Sequence, residues 1–374
     1  MPADEPEVTI ILLDDVGKDL ISVADTPNID TLSSIGVNFN NAWSMPTCSP
    51  TRASLLTGRF PFRHGIGIAV KYNGPSSSEL SLDEVLIPEV IDVASAALGK
   101  WHLGYEEDHP NDSGFDFYAG CLWNLGSGPS NSYYKWEKTT QGVSQIVNVY
   151  ATLDTANDAV KFRTFPLQYV SFNAVHRPRK HQDNPPGYDE SEQYDIAIAK
   201  LEYMDGQIGR IIDNRTGYVI LLGDNGTEQK LGGGKKTLLE SGINVPLIIT
   251  GPGVAPRVVN DLVSVVDIFA TVLDIYDVDS PVPVDGVSLL SVLHGGQTIR
   301  TVNFAERFLE NHDPFINRSV AIRNADYKLM IDLDGHEVLY SMPNESEISP
   351  PYMGEDLDNY NALLHLLRTR FQWQ

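Results

Sequence analysis

Two cysteines in a chain of 374 residues are too few for a disulfide framework. They are Cys48 and Cys121, and pairing them would consume the one thiol placed for chemistry, so both are expected free. Basic residues are scarce too. Only 27 Lys and Arg face 50 Asp and Glu, for a net charge of −23. Such a chain has no basic face for a phosphate backbone, which argues against nucleic acid, and it is repelled by anionic membranes. No apolar run reaches bilayer-spanning length. Met1-Pro2-Ala3-Asp4-Glu5-Pro6-Glu7 is acidic and lacks an apolar core segment, so it does not read as a signal peptide. As written the protein reads as cytoplasmic, or as periplasmic or secreted if a leader was trimmed. Internal repeats, heptads and low-complexity tracts are lacking as well, and nothing indicates an oligomeric state.

What is present suffices for one large core: 42% of the residues are apolar. Short apolar runs at 8–13, 91–98, 167–172, 217–222 and 245–250 read as strands, the first and third as buried on both faces of a parallel sheet. Stretches 26–35, 154–162, 190–212 and 263–276 read as helices. In 190–212, Tyr194, Ile198, Leu201, Met204, Ile208 and Ile211 recur with helical period. Residues 71–81 and 232–236 are loops, and 105–147 shows no clear element. The alternation predicts an α/β fold, a mainly parallel central sheet flanked by helices. After residue 300 the pattern changes. Segments 319–323, 327–333 and 336–340 read as a meander turning at Asp334-Gly335, and 357–371 as a closing helix. The expected organisation is an α/β catalytic domain over 1–300 and a small C-terminal α+β subdomain over 301–374 with a short antiparallel sheet.

Polar residues gather where the strands end. Asp14-Asp15 follow the first run, Lys100 and His102 the second, His176 the third and Asp224-Asn225 the fourth. The carboxyl ends of strands line the crevice of open α/β sheets, so four such clusters predict one composite site. A single strand-end Asp would more simply be a helix cap. Asp14, Asp15, Asp224 and Asn225 offer only oxygen, which selects a hard cation, Ca²⁺ or Mg²⁺, over zinc. His102 and His176 belong to no close His/Cys ligand set and stand near Lys100 and Arg177. They read as proton donors and acceptors. Arg52, Lys100 and Lys235 are then surplus positive charges, suited to a tetrahedral oxyanion.

These clusters are organised around Cys48-Ser49-Pro50-Thr51-Arg52 and its continuation to Leu55-Leu56-Thr57-Gly58-Arg59. Pro50 fits a first helical position and Gly58 a C-terminal stop, so Cys48 stands at a helix N-terminus with Arg52 one turn on. A cysteine beside a cation at a helix mouth is in a reactive environment. The residues together predict hydrolysis of a sulfate or phosphate ester with an activated group at position 48. Direct attack by a thiolate fits poorly, because a thiolate is too soft for Ca²⁺ and Arg52 lies within the helix instead of closing an anion loop.

The Cys48-to-Arg59 stretch resembles the signature of the type I, formylglycine-dependent sulfatases of the alkaline-phosphatase-like superfamily. Gly99-Lys100-Trp101-His102-Leu103-Gly104 resembles their second signature. Asp14-Asp15, residues 173–178, Gly223-Asp224-Asn225-Gly226, and Lys235 with Glu240-Ser241-Gly242 and Val245-Pro246 match further blocks in order, over 8–340. The resemblance implies that Cys48 is oxidised to formylglycine by a formylglycine-generating or radical maturase. The hydrated aldehyde, bound to Ca²⁺, would attack sulfur; the alcohol leaves, and loss of a proton from the second hydroxyl eliminates sulfate. By resemblance, Asp14, Asp15, Asp224 and Asn225, with the modified Cys48, hold the metal. Arg52 steadies the diol, and Lys100 and Lys235 bind sulfate. His102 is the base for elimination, and His176 with Lys235 protonates the leaving oxygen. The implied substrate is a sulfated small molecule or saccharide. A phosphate or phosphonate ester hydrolase is the alternative within the superfamily, and a sulfated-glycan-binding protein without turnover the alternative outside it.

Some features depart from the family pattern. No Gly-Tyr-x-Thr lead precedes Gly99, Asn244 stands where Arg is common, and the C-terminal piece is short. Lys235 is preferred to Lys236 on its spacing to Glu240. His64 reads as structural and Cys121 as an unmodified thiol. Trp123, Tyr133, Tyr134 and Trp136 offer either a sugar-stacking platform or loop packing. Substrate choice is assigned to loops 71–81, 105–147 and 305–318.

Overall fold

A computed structural model describes residues 6–72, 74, 78–130 and 132–373; residues 73 and 75–77 of the loop expected at 71–81 lie outside it. Ten strands form the main sheet: β1 (Val8–Leu13), β2 (Val37–Trp43), β3 (Ser95–Lys100), β4 (Phe117–Cys121), β5 (Trp136–Thr140), β6 (Val143–Val147), β7 (Leu167–Ser171), β8 (Tyr218–Gly223), β9 (Leu247–Thr250) and β10 (Arg257–Ser264). Their order is β10-β2-β9-β8-β1-β7-β3-β4-β5-β6. The central block β8-β1-β7-β3-β4 is parallel throughout. β1, β3 and β7 are buried along their whole length, which is why they carry no polar alternation. β9 runs antiparallel to both neighbours, and β5 and β6 form an antiparallel hairpin.

Several elements differ from the sequence expectation. The second strand starts at Ser95, not 91, because Pro88 opens a helical turn at Ile87–Val90, and it runs on to include Lys100. The segment 105–147, without a clear period in sequence, contains β4, β5 and β6. Val263 and Ser264, expected to be helical, pair with Ala42 and Trp43; the helix begins at Asp267, whose carboxylate accepts the Ser264 N–H at 2.9 Å. The helix after Cys48 covers Cys48–Thr57, so Pro50 is its third residue, not its first. The first-turn amides have no intrahelical partner, so proline is tolerated there as well. Gly58 closes it at φ 68°. All ten of its residues are buried, so no amphipathic stripe marks it.

A second, antiparallel sheet follows: β11 (Asn303–Phe308), β12 (Arg318–Arg323), β13 (Tyr327–Ile331), β14 (Glu337–Ser341) and β15 (Ser346–Ile348). The meander is there, with strands β11 and β15 added at its edges. The Glu355–Arg370 helix packs on β12 and β13. Phe304 of β11 stacks on Phe371 at 4.2 Å and meets Phe60 edge-on at 5.2 Å. The Glu306 carboxylate accepts the Phe62 N–H at 2.7 Å. The second sheet is thereby fastened to the exit of the Cys48 helix.

Register aligns the strand ends. Leu12 is opposite Ser171, Leu13 opposite Gly223, and Ser171 opposite Gly99. Gly99 has φ 92°, and a Cβ there would lie 2.0 Å from the Ser171 carbonyl oxygen. Gly99→Ala is therefore expected to destabilise the protein by about 3 kcal/mol or more, through backbone strain plus a backbone clash. A thermal melt checks this; an unchanged Tm would show that β3 and β7 can move apart.

Candidate active site

The four sequence clusters end up side by side because their strands are consecutive in the sheet. β8 delivers Asp224 and Asn225, β1 delivers Asp14 and Asp15, the turn after β7 delivers Asn173 and His176, and β3 delivers Lys100 with His102 just beyond. The Cys48 helix points its first residue at this row. Asp15 and His102 both take φ 62°, a left-handed conformation that costs a non-glycine residue energy and turns each side chain out of its strand line.

Three buried carboxylates meet three buried cations. Lys100 Nζ bonds Asp14 Oδ2, Lys235 Nζ bonds Asp15 Oδ1, and Arg52 Nη2 donates to Asp224 Oδ2 at 2.9 Å. Arg52 Nη1 also donates to the Lys100 carbonyl at 3.1 Å and to Ser171 Oγ. Asn225 Nδ2 donates to Asp15 Oδ1 at 2.9 Å, and the Asp15 amide to Asp224 Oδ1 at 3.0 Å. Burying six charges is costly, and such clusters are seldom net stabilisers.

Burial acts on each group. It would raise Asp15, but Lys235 and His176 outweigh it and hold the carboxyl well below its usual range. Burial and the neighbouring Asp14 push Asp224 up to about 6, against Arg52 and Lys100. Cys48 departs from expectation. It is 2% exposed, and burial pushes the thiol up to about 11 although Lys100 and Lys235 pull it down. The unmodified thiol is thus protonated and unreactive, because desolvation exceeds the help from nearby cations. Lys235 Nζ lies 3.5 Å from Cys48 Sγ. Lys236 is exposed, so Lys235 is the lysine at this site.

Both histidines are kept neutral. Burial and Lys100 with Arg52 push His102 far below its usual value. Burial does the same for His176; Asp15 opposes it, while Lys235 and Lys100 add to it. Their hydrogen bonds assign the tautomers. His102 Nε2 lies 2.9 Å from the Val70 carbonyl, to which it must donate, so Nδ1 carries the lone pair; Nδ1 is buried and has no partner. His176 Nδ1 lies 3.0 Å from the Arg177 carbonyl, which leaves Nε2 as its free nitrogen.

The residues also suit a hard cation. Asp14 Oδ1 and Asn225 Oδ1 are buried acceptors without a hydrogen-bond partner, and a cation would satisfy both. Asp14, Cys48 and Asp224 each offer an atom within 4.8 Å of the other two, and so do Asp15, Cys48 and His176. The three cations cancel the three carboxylates, so a divalent ion would leave the site positive and attractive to an anion.

Above Cys48 opens a cavity of about 960 Å³, lined by Cys48, His102, His176 and Lys235 on its floor and by Tyr72, Trp123, Arg177 and Arg307 among others on its walls. Trp123 packs edge-on against Tyr72 at 5.2 Å. Tyr133 and Trp136 are buried packing residues, and Tyr134 packs on Tyr150 at 4.9 Å, so only Trp123 of the four proposed stacking aromatics lines the cavity. Tyr133 has another use. Its hydroxyl lies 2.6 Å from the Asn173 carbonyl and 2.8 Å from the His176 carbonyl, and its one proton is shared between them, pinning the His176 turn. That contact and the Arg52–Ser171 bond carry no sequence signal. His64 is buried, lies 3.0 Å from Ser54 Oγ of the Cys48 helix and does not line the cavity, as a packing role requires. Cys121 is buried and free. Asn244, in the place where the family pattern favours Arg, accepts from Lys18 Nζ at 2.7 Å.

A mainly parallel sheet with four adjacent strand ends converging on a buried helix-mouth cysteine defines a hydrolase-type α/β fold of the alkaline-phosphatase-like class. Within that class the chain belongs to the sulfatase family, whose pattern matches residues 6–278. A second pattern, N-sulphoglucosamine sulphohydrolase, C-terminal, matches residues 233–362. The chain is 29% identical over 351 residues to N-acetylgalactosamine-6-sulfatase of Canis lupus familiaris, covering 78% of this chain and 66% of that protein. It is 30% identical over 372 residues to arylsulfatase G of Rattus norvegicus, covering 78% and 69%. The chain therefore spans about two thirds of the length of these relatives. In fold it is similar to i-CgsB solved with k-i-k-neocarrahexaose, with TM-score 0.82, 21% identity and coverage of 99% of this chain and 93% of that one.

Proposed function

We propose that the protein hydrolyses a sulfate monoester of a saccharide or aryl alcohol, giving the alcohol and inorganic sulfate. The observation that carries this reading is the position of Cys48. It is unreactive as a thiol, yet it lies on the cavity floor 3.5 Å from Lys235 Nζ and next to the carboxylate cluster. Oxidised to formylglycine, it would supply a hydrated aldehyde as nucleophile. A Ca²⁺ or Mg²⁺ ion held by Asp14, Asp15, Asp224 and Asn225 would supply Lewis acidity and share the sulfate charge. Because the whole Cys48–Thr57 helix is buried, a maturase would have to act before folding closes it.

The chain's own residues then divide the work. Lys100 and Lys235 bind the sulfate oxygens, and Arg52, locked by Asp224, Ser171 and the Lys100 carbonyl, orients residue 48. An anion between Lys100 and Lys235 offsets two of the charges that keep His176 neutral, so Nε2 can carry a proton to the leaving oxygen. His102, with Nδ1 unpartnered and its other nitrogen fixed by Val70, accepts the proton when sulfate departs. A saccharide is favoured by the cavity volume of about 960 Å³, at the upper end of the ~300–1,000 Å³ range of small-molecule sites. The carbohydrate named for the canine relative is consistent with it. The test compares inorganic sulfate with phosphate release from matched aryl esters. Faster sulfate release is expected; a much faster phosphate rate would overturn the reading in favour of a phosphate or phosphonate ester hydrolase.

A further inference from the structure

The cavity walls hold positive charge that the reaction at Cys48 does not use. Two of these cations share one carboxylate: Arg177 Nε lies 3.1 Å from Glu228 Oε1, and Arg179 bonds the other oxygen of the same group. Arg307 and Lys236 differ. Both line the cavity, and among the described residues neither has a carboxylate within ion-pair distance; the exposed wall lysines Lys71 and Lys180 are likewise without one, but of the four only Arg307 is half-buried with an unpartnered donor. This is notable in a chain with 50 acidic and 27 basic residues, where an unneutralised cation is easily paired.

Local structure aims them. Strand alternation in β11 sends Glu306 into the interior, where Arg318 Nε bonds it at 2.8 Å, and sends Arg307 to the opposite side, onto the cavity. The Arg307 Nε is buried without a partner, and Nη1 reaches only the Lys236 carbonyl, at 3.4 Å. Burial pulls the guanidinium below its usual value, with no acid opposing it. Lys236 takes φ 77°, held there by its amide donating to the Pro46 carbonyl at 2.9 Å. A lysine in a conformation that favours glycine is fixed in direction by the loop. It follows directly on Lys235, the residue at Cys48.

We propose that Arg307 and Lys236 form a second anion subsite, which holds a further carboxylate or sulfate on a saccharide whose scissile sulfate lies at Cys48. The proposal rests on the placement of that sulfate, and it names the substrate class as a saccharide bearing at least two anionic groups. Guanidinium binds either oxyanion bidentately, so the subsite reads charge and planarity of donors more than the identity of the central atom.

Calorimetric binding tests it without requiring turnover. The ligands are a disulfated disaccharide, the same disaccharide with one sulfate and one uronic carboxylate, and its singly sulfated uncharged counterpart. Wild type is expected to prefer both dianions about tenfold or more, and Arg307→Gln to lose most of that preference. Arg307→Lys should recover part of it. Preference for only one dianion would assign the subsite to sulfate or to carboxylate. Lys236→Gln, at an exposed side chain, gives an independent loss if Arg307→Gln melts early. Equal affinity of wild type for all three ligands, or equal weakening of all three in both Gln variants, would overturn the subsite. Sulfate release from an aryl sulfate by wild type reads the hydrolase assignment separately: its absence with the dianion preference intact would fault that assignment and leave the subsite standing.

Discussion

Cys48→Ala is expected to lower sulfate release by about four orders of magnitude or more, because it removes the group on which the rest of the site acts as a unit. The fold should survive. The Cys48 side chain is small and its polar contact is Lys235 at 3.5 Å, so the cost in stability is about 1 kcal/mol. Turnover and a thermal melt separate the two effects. The same prediction has a chemical counterpart in wild type. Mass spectrometry of the peptide around Cys48 from active protein should find the aldehyde form, lighter than the thiol. Full activity with only an intact thiol would overturn the mechanism. It would also contradict the burial of that thiol, which keeps it protonated at neutral pH.

The second large effect concerns the carboxylates. Asp14→Asn keeps the shape of the side chain and removes its charge. It leaves Lys100 without its counter-charge and removes the more distant of two carboxylates from Arg52, which lies 3.9 Å from Asp14 and keeps Asp224 at 2.9 Å. It also weakens the donor set for a hard cation. A loss of about 10³ in kcat is expected, together with loss of bound Ca²⁺ or Mg²⁺ in elemental analysis. Chelation of wild type should do the same and lower Tm, since an ion that binds only the folded state stabilises it by mass action. Re-addition of Ca²⁺ and of Mg²⁺ in turn identifies the ion. Wild type that stays fully active and equally stable once stripped of divalent metal would show that Lys100, Lys235 and Arg52 suffice for the carboxylates, and the cation would have no part.

The sequence by itself determined which polar residues stand at the strand ends, among them Asp14, Asp15, Lys100, His102, Asp224 and Asn225. Each polar cluster directly follows an apolar run, and each such run is recognisable from its own few residues. Gly58 stopped the helix that begins at Cys48, at φ 68°, because that signal too is local. Signals of that kind depend on neighbours two to four positions away, and they survive in the chain without its fold. They were weaker where no local period exists, as in 105–147 and at β10, an edge strand with mixed exposure.

Tertiary structure alone decided how the parts meet. The order β8-β1-β7-β3 is set by packing of the whole chain, and it brings Asp15 and Asp224, 209 residues apart, within a hydrogen bond. It selected Lys235 over Lys236, freed Nδ1 of His102 by giving Nε2 to Val70, and turned Arg307 to the cavity while Glu306 faced inward. It also added a second ground against a thiolate nucleophile at Cys48, which the sequence had already set aside on the softness of sulfur. A cation four residues away is visible in sequence, but the loss of water around a wholly buried helix is not, and here desolvation is the larger effect.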